Sequence, residues 1–287
     1  MPQDLTLTGL TDDQIARVQA AIAGVSQLPP PPPVKRGKVI VVVSPKGGSG
    51  KTAVASNVAA SLAQQFPGKV AAVDLDVQFG DMCTSLGLHP EHNLAQVATT
   101  PNVDATTIKL FLTPYEPGLY VLCGARAPAE ADVVTHEHVS KVIPLLAADF
   151  DYVVVDTSAG LDDRTLAALE QASDILLVSS LDVTSIRSLR KAVEAMDAIG
   201  VTRQRHFVLN RADAKVGLRV TDASEAVGLP IVAMIPSCRE VPLSMNVGTP
   251  VVKLEPRSEV AKRMKQLAQL FVPPSPTDNG RRRRWFR

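Results

Sequence analysis

Val39-Ile40-Val41-Val42-Val43-Ser44-Pro45-Lys46-Gly47-Gly48-Ser49-Gly50-Lys51-Thr52 is the stretch that decides the reading of this chain. Five consecutive β-branched residues are the pattern of a strand buried on both faces, and they run directly into a glycine cluster. Glycine at 47, 48 and 50 lets backbone N–H groups turn inward onto an anion, and apolar spacing at Val54, Val58 and Leu62 predicts a helix whose N-terminus backs the loop. A strand, glycine loop and helix in this order form a phosphate cradle. Lys51 is placed to reach the β and γ phosphates of a nucleoside triphosphate, and the Thr52 hydroxyl suits Mg²⁺. The nucleotide contacts expected from the loop itself are Gly47, Gly48, Gly50, Lys51 and Thr52. Pro45 fixes φ and removes one N–H at the loop entrance.

Outward from this stretch, apolar runs recur at Val70–Val73, Leu119–Leu122, Tyr152–Val155, Ile175–Val178, Phe207–Leu209 and Ile231–Ile235. Helical patterns separate most of them, which predicts a doubly wound, mostly parallel α/β sheet covered by helices on both faces. Ligands of such sheets bind beyond the carboxyl ends of the strands, so residues that follow the runs are the candidates for chemistry. After the second run stand Asp74 and Asp76, two apart, and both are expected to face the γ-phosphate end of the loop. After Tyr152–Val155 stands Asp156. Four apolar residues ending in an acid are the Walker B arrangement, in which the carboxylate holds Mg²⁺. A closing helix over Ser258–Phe271 is expected to bury Val260, Met264, Leu267 and Phe271.

The string Lys46-Gly47-Gly48-Ser49-Gly50-Lys51-Thr52 resembles the deviant Walker A motif, KGGxGK[ST], of the MinD/ParA superfamily of P-loop ATPases. The resemblance covers about residues 38–272. It implies ATP and Mg²⁺ as cofactors and a homodimer that sandwiches two ATP molecules, with Lys46 crossing to the partner's nucleotide. It further implies that Asp76 orients the attacking water, that Asp74 supports the Mg²⁺ shell, and that Asn210, Arg211 and the Pro236 loop contact adenine. Ala53 stands where many relatives carry a second threonine, and Ser158 where proline is common. Within the superfamily, the string from Asp74 to Val97, which opens Asp74-Leu75-Asp76-Val77-Gln78-Phe79-Gly80-Asp81, is similar to the CpaE/TadZ branch, as is Ser44-Pro45-Lys46-Gly47-Gly48, and this implies a localisation or assembly factor for a Flp/Tad-type pilus or secretion machine.

Two other functions compete. A ParA-type partition ATPase would bind nucleic acid, with Arg187, Arg190, Lys191 and Arg203 to Arg205 as its patch, although such charges on a helix more often form a solvated face. A MinD-type division-site selector would need an amphipathic membrane helix at the end of the chain, for which seven residues are too few.

The 287 residues are 45% hydrophobic, enough for one large core. The expected organisation is a helix and proline-rich linker over 1–37, the ATPase domain over 38–272, and a basic tail over 273–287. Five arginines in Arg281–Arg287 exceed the net charge of +1, so the remainder is net acidic. With Trp285 and Phe286, this tail is suited to a weak hold on an anionic membrane surface. Cys83, Cys123 and Cys238 form no CxxC pair, which predicts reduced thiols, and no apolar run is long enough to span a bilayer. The expected location is the cytoplasm, with residence at the inner face of the membrane or the cell pole.

Overall fold

The computed structural model describes residues 36–77, 80–125, 127–213 and 217–274. The expected helix over 12–25, the prolines at 29–33 and the tail Arg281–Arg287 lie outside them. In chain order the elements are β1 (Lys38–Ser44), α1 (Lys51–Gln65), β2 (Val70–Asp74), α2 (Met82–Ser85), α3 (Leu94–Thr99), a 3₁₀ turn (Thr107–Phe111), β3 (Thr113–Tyr115) and β4 (Leu119–Leu122). There follow α4 (Pro128–Ala131), α5 (His136–Asp149), β5 (Tyr152–Ala159), α6 (Asp163–Gln171), β6 (Asp174–Ser180), α7 (Val183–Ala198) and β7 (Gln204–Asn210). The chain closes with α8 (Val220–Val227), β8 (Ile231–Ile235), α9 (Glu240–Val247), α10 (Val251–Leu254) and α11 (Glu259–Gln269).

All eight strands join one sheet in the order β3-β4-β2-β5-β1-β6-β7-β8. Every pairing is parallel except that of β3 with β4. Each of the seven apolar runs is a strand. Alternate residues of the same strand enter opposite cores, as the period of two requires. Val41, Val73, Val155 and Leu177 pack against Val139, Ile143, Leu189 and Met196 of α5 and α7. On the other face Ile40, Val42, Val154 and Leu176 meet Val54, Val58 and Leu62 of α1 and Met264 and Leu267 of α11. Each such side chain contributes about 1.5–3 kcal/mol over leaving it in water, so two dry layers rather than the loops hold the sheet together.

The helices begin where their sequences offer caps. The Asp162 carboxylate accepts the Thr165 N–H at 2.9 Å, that of Asp182 accepts the Ser185 N–H at 2.8 Å, and the Ser258 hydroxyl accepts the Ala261 N–H at 3.2 Å. Both carboxylate caps stand just beyond the carboxyl end of a strand. The chain leaves β1 toward one edge of the sheet and leaves β5 toward the other. The carboxyl ends of these two neighbours therefore open a crevice, and the glycine loop sits in it.

Two features depart from expectation. The short antiparallel β3 was not anticipated. Cys83 and Cys123, read from sequence as reduced thiols, are joined as a disulfide across 40 residues, with Cα atoms 5.9 Å apart. Folding brings α2 beside the end of β4, a proximity that cysteine spacing cannot express.

Candidate functional site

The glycine loop bridges β1 and α1. Gly48 and Gly50 have φ of 72° and 95°, values L side chains rarely adopt. At Gly50 an added Cβ would also stand 2.4 Å from Asn210 Nδ2, so glycine is required twice over. Val54 N–H donates to the Gly50 carbonyl at 3.0 Å, which starts α1 directly behind the loop. Lys51 is turned inward and is only 7% exposed.

A cavity of about 530 Å³ opens over this loop. Gly47, Gly48, Gly50, Lys51, Thr52, Ala53, Asp76, Asn210, Arg211 and Pro236 all line it, so ten of the residues singled out from sequence converge on one space. Asp81, Ala159, Cys238, Val241, Pro242 and Met245 line it too and were not anticipated. Cys238, Val241, Pro242 and Met245 come from the loop after β8 and from α9, which together make a wall suited to the flat face of a base. On that side Asn210 Nδ2 donates to the Ser49 carbonyl at 2.8 Å, Arg211 reaches the Gly48 carbonyl at 3.4 Å, and Ser237 N–H donates to Asp213 at 2.6 Å. The loops after β7 and β8 are thereby tied to each other and to the phosphate cradle.

The acids divide. Asp76 lines the cavity, whereas Asp74 lies beneath the loop and is 1% exposed. Asp74 is the last residue of β2 and Asp76 stands beyond it, where the strand's alternation of faces no longer applies, so the two acids do not line the cavity together. The Asp74 carboxylate instead accepts the backbone N–H groups of Asp76 and Met82, each at 3.1 Å. Asp156, its register partner on β5, is completely buried, and neither of its oxygens makes a well-formed hydrogen bond. Burial pushes the Asp156 carboxyl up to about 7, against the pull of the Thr52 hydroxyl and the Lys51 ammonium. Burial and the neighbouring Asp156 also push Asp74 up.

An orphaned, dehydrated carboxylate beside a threonine hydroxyl and a lysine fits a small divalent cation. No group of three or more acidic, histidine or cysteine side chains that could hold a metal exists among the described residues. Mg²⁺ takes one or two protein ligands and completes its shell with phosphate oxygens and water. Thr52 and Asp156 would hold it, with Asp74 behind, and the ion would neutralise charge on the β and γ phosphates.

Lys46 does not line the cavity. Its ammonium is hydrogen-bonded to the Thr184 hydroxyl at 2.8 Å and lies 3.7 Å from Asp182 at the start of α7. Burial raises the Asp182 carboxyl, but the hydroxyls of Ser185 and Thr184, the Ser185 amide and Lys46 outweigh that and hold it at about 2. Asp182 and Thr184 were missed from sequence although they follow a strand end, the signal that found the other acids. Of the basic residues considered for nucleic acid, Arg190 is paired with Glu194 at 2.8 Å and Arg205 with Asp197 at 2.6 Å.

A parallel sheet whose first strand feeds a glycine cradle, with an orphaned acid at the end of the next strand over, defines a P-loop nucleoside triphosphatase. Comparison with known proteins narrows the class. The model of the AAA domain family matches residues 37–208, and the chain belongs to this family as a P-loop ATPase of the MinD/ParA superfamily. It is 27% identical over 220 residues to the putative septum site-determining protein MinD of Emiliania huxleyi, covering 75% of this chain and 80% of that one. A ParA family ATPase from Chlorobium tepidum superposes with a TM-score of 0.77 at 25% identity, over 82% of this chain and 98% of its own. The septum site-determining protein MinD of Pyrococcus horikoshii, complexed with Mg-ADP, gives a TM-score of 0.72 at 26% identity, over 82% and 95%.

Proposed function

We propose that this protein is a Mg²⁺-dependent ATPase that dimerises on ATP and uses slow hydrolysis to time its release, positioning the assembly machinery of a Flp/Tad-type pilus or secretion system. The observation that carries the reading is the contrast between the two loop lysines. Lys51 is buried against the cradle, while the Lys46 side chain is 49% exposed and points away from its own cavity. A cation built into a phosphate loop yet directed out of it is available to the phosphates of a second copy. Its hold on Asp182 is no obstacle, since an exposed ion pair of this kind is worth about 0–1 kcal/mol. Asp76, in the cavity, is the candidate to orient the attacking water, and its loss would cost on the order of 10²-fold in rate.

The pilus assignment rests on the string Asp74–Asp81 and on Ser44-Pro45-Lys46-Gly47-Gly48. A second reading, division-site selection, is favoured by the septum-site names of the relatives. No described helix is long and apolar enough to cross a membrane, so residence there would depend on a peripheral hold such as the proposed arginine tail. Imaging of the tagged protein separates the readings, since pilus-associated foci, exclusion from the division site and nucleoid coating are distinct patterns. The central test is biochemical. Lys51→Ala should abolish ATP binding, and Lys46→Ala should bind ATP yet remain monomeric by light scattering. A Lys46→Ala protein that dimerises with ATP and Mg²⁺ overturns the reading.

A further inference from the structure

Asp74 is enclosed by two short segments. On one side an added Cβ at Gly80 would stand 2.6 Å from Asp74 Oδ2, and the Met82 N–H donates to that same oxygen. On the other, an added Cβ at Gly124 would stand 3.4 Å from Asp74 Cγ. Cys83 follows Met82 in α2, and Cys123 precedes Gly124 at the end of β4. The disulfide between them joins the two walls of the carboxylate's enclosure, and its Cα separation of 5.9 Å lies within the ordinary range. The Cys123 carbonyl accepts the Leu94 N–H at 2.9 Å, so the β4 wall is fixed to α3, while α2 is a single short turn.

We propose that Cys83 and Cys123 are a reversible oxidation site for low-molecular-weight disulfides, and that closing the bond holds the Met82 turn of α2 against the Asp74 carboxylate and slows nucleotide turnover. The second clause rests on the ATPase reading above. Exposure sets the order of events. Cys83 is half-buried, whereas Cys123 is 1% exposed, so Cys83 is the thiol that meets a solute first. The Cys83 thiolate attacks oxidised glutathione, forming a mixed disulfide and expelling one glutathione thiolate. The Cys123 thiolate then attacks the Cys83 sulfur and expels the second, and the two cysteine protons end on the two glutathiones. Paired thiols that cycle in this way are the usual form of disulfide in reducing compartments. With the bond closed, Met82 is tied through Cys83 to the end of β4, and Asp74 keeps the Met82 N–H.

The test treats the full chain with oxidised or reduced glutathione. Non-reducing peptide mass mapping, hydrogen exchange of the Met82–Leu86 amides without nucleotide, and steady-state ATP hydrolysis are then measured. The expected results are a linked Cys83–Cys123 peptide, slower exchange, and turnover reduced about fivefold or more, all restored by dithiothreitol. Cys83→Ser should hydrolyse ATP equally in both treatments. Absence of the linked peptide, unchanged exchange or unchanged turnover in the linked protein, or equal inhibition of Cys83→Ser overturns the proposal. Absence of turnover in the reduced protein would instead refute the ATPase reading, and the peptide map and exchange would still decide the oxidation site.

Discussion

At the scale of single residues, the site is organised around what has been dehydrated. Asp156 is a carboxyl of ordinary pKa 3.8 held at about 7 in the folded chain. Between those values the unfolded chain has released its proton and the native one retains it, so stability falls as pH rises through that window. Asp156→Asn removes the cost. Urea unfolding of the nucleotide-free variant should show a higher midpoint than wild type at about pH 8 and a flatter pH dependence. Mg²⁺-dependent ATP binding should weaken about tenfold or more in calorimetry. An Asp156→Asn protein less stable than wild type at that pH refutes the account. Lys51, Thr52, Asp76 and Asn210 were legible in the sequence because each follows a recognisable strand. Asp182 and Thr184 also follow a recognisable strand, but their pairing with Lys46 depends on β6 lying beside β1, which only the strand order reveals.

At the scale of elements, the loop and helix of the cradle depend on backbone geometry more than on side chains. Gly50→Ala meets two penalties, a φ of 95° and a Cβ 2.4 Å from Asn210 Nδ2. Relief of the contact would cost Asn210 its hydrogen bond to the Ser49 carbonyl. Gly68, at φ 76° with no atom within 4 Å of an added Cβ, carries only the first penalty. Gly68→Ala should therefore lose about 1–2 kcal/mol in urea unfolding, while Gly50→Ala should lose more and bind ATP weakly. Equal losses with intact ATP binding would show that the Asn210 brace is unimportant. The seven parallel strands could be read in advance because burial on both faces leaves an unbroken apolar run. Thr113-Pro114-Tyr115 has no such run. It becomes a strand only because β4 offers it an edge.

At the scale of the molecule, the end of the sheet opposite the nucleotide is closed by charge. Asp174 of β6 accepts from His206 of β7 at 2.8 Å and lies 3.4 Å from Lys38 of β1. Phe271, just past α11, lies edge-on to His206 at 5.5 Å with the Lys38 ammonium 5.9 Å from its ring. Burial raises the Asp174 carboxyl, but His206 and Lys38 outweigh it and hold it below 3.8. A depressed acid stabilises the fold above its unfolded value and loses that contribution as pH falls through the folded one. Asp174→Asn should lower the urea midpoint at neutral pH and approach wild type below pH 3.8, and parallel curves would refute the clasp. The outer strands have a different consequence. An open sheet margin is a template on which identical chains can polymerise. Here β3 is three residues long with Pro114 at its centre, and β8 is bracketed by Pro230 and Pro236. Each missing amide removes a rung that a neighbouring strand would need, so both margins of the sheet resist edge-to-edge growth, and the proposed dimer would be left to form and part through the nucleotide crevice.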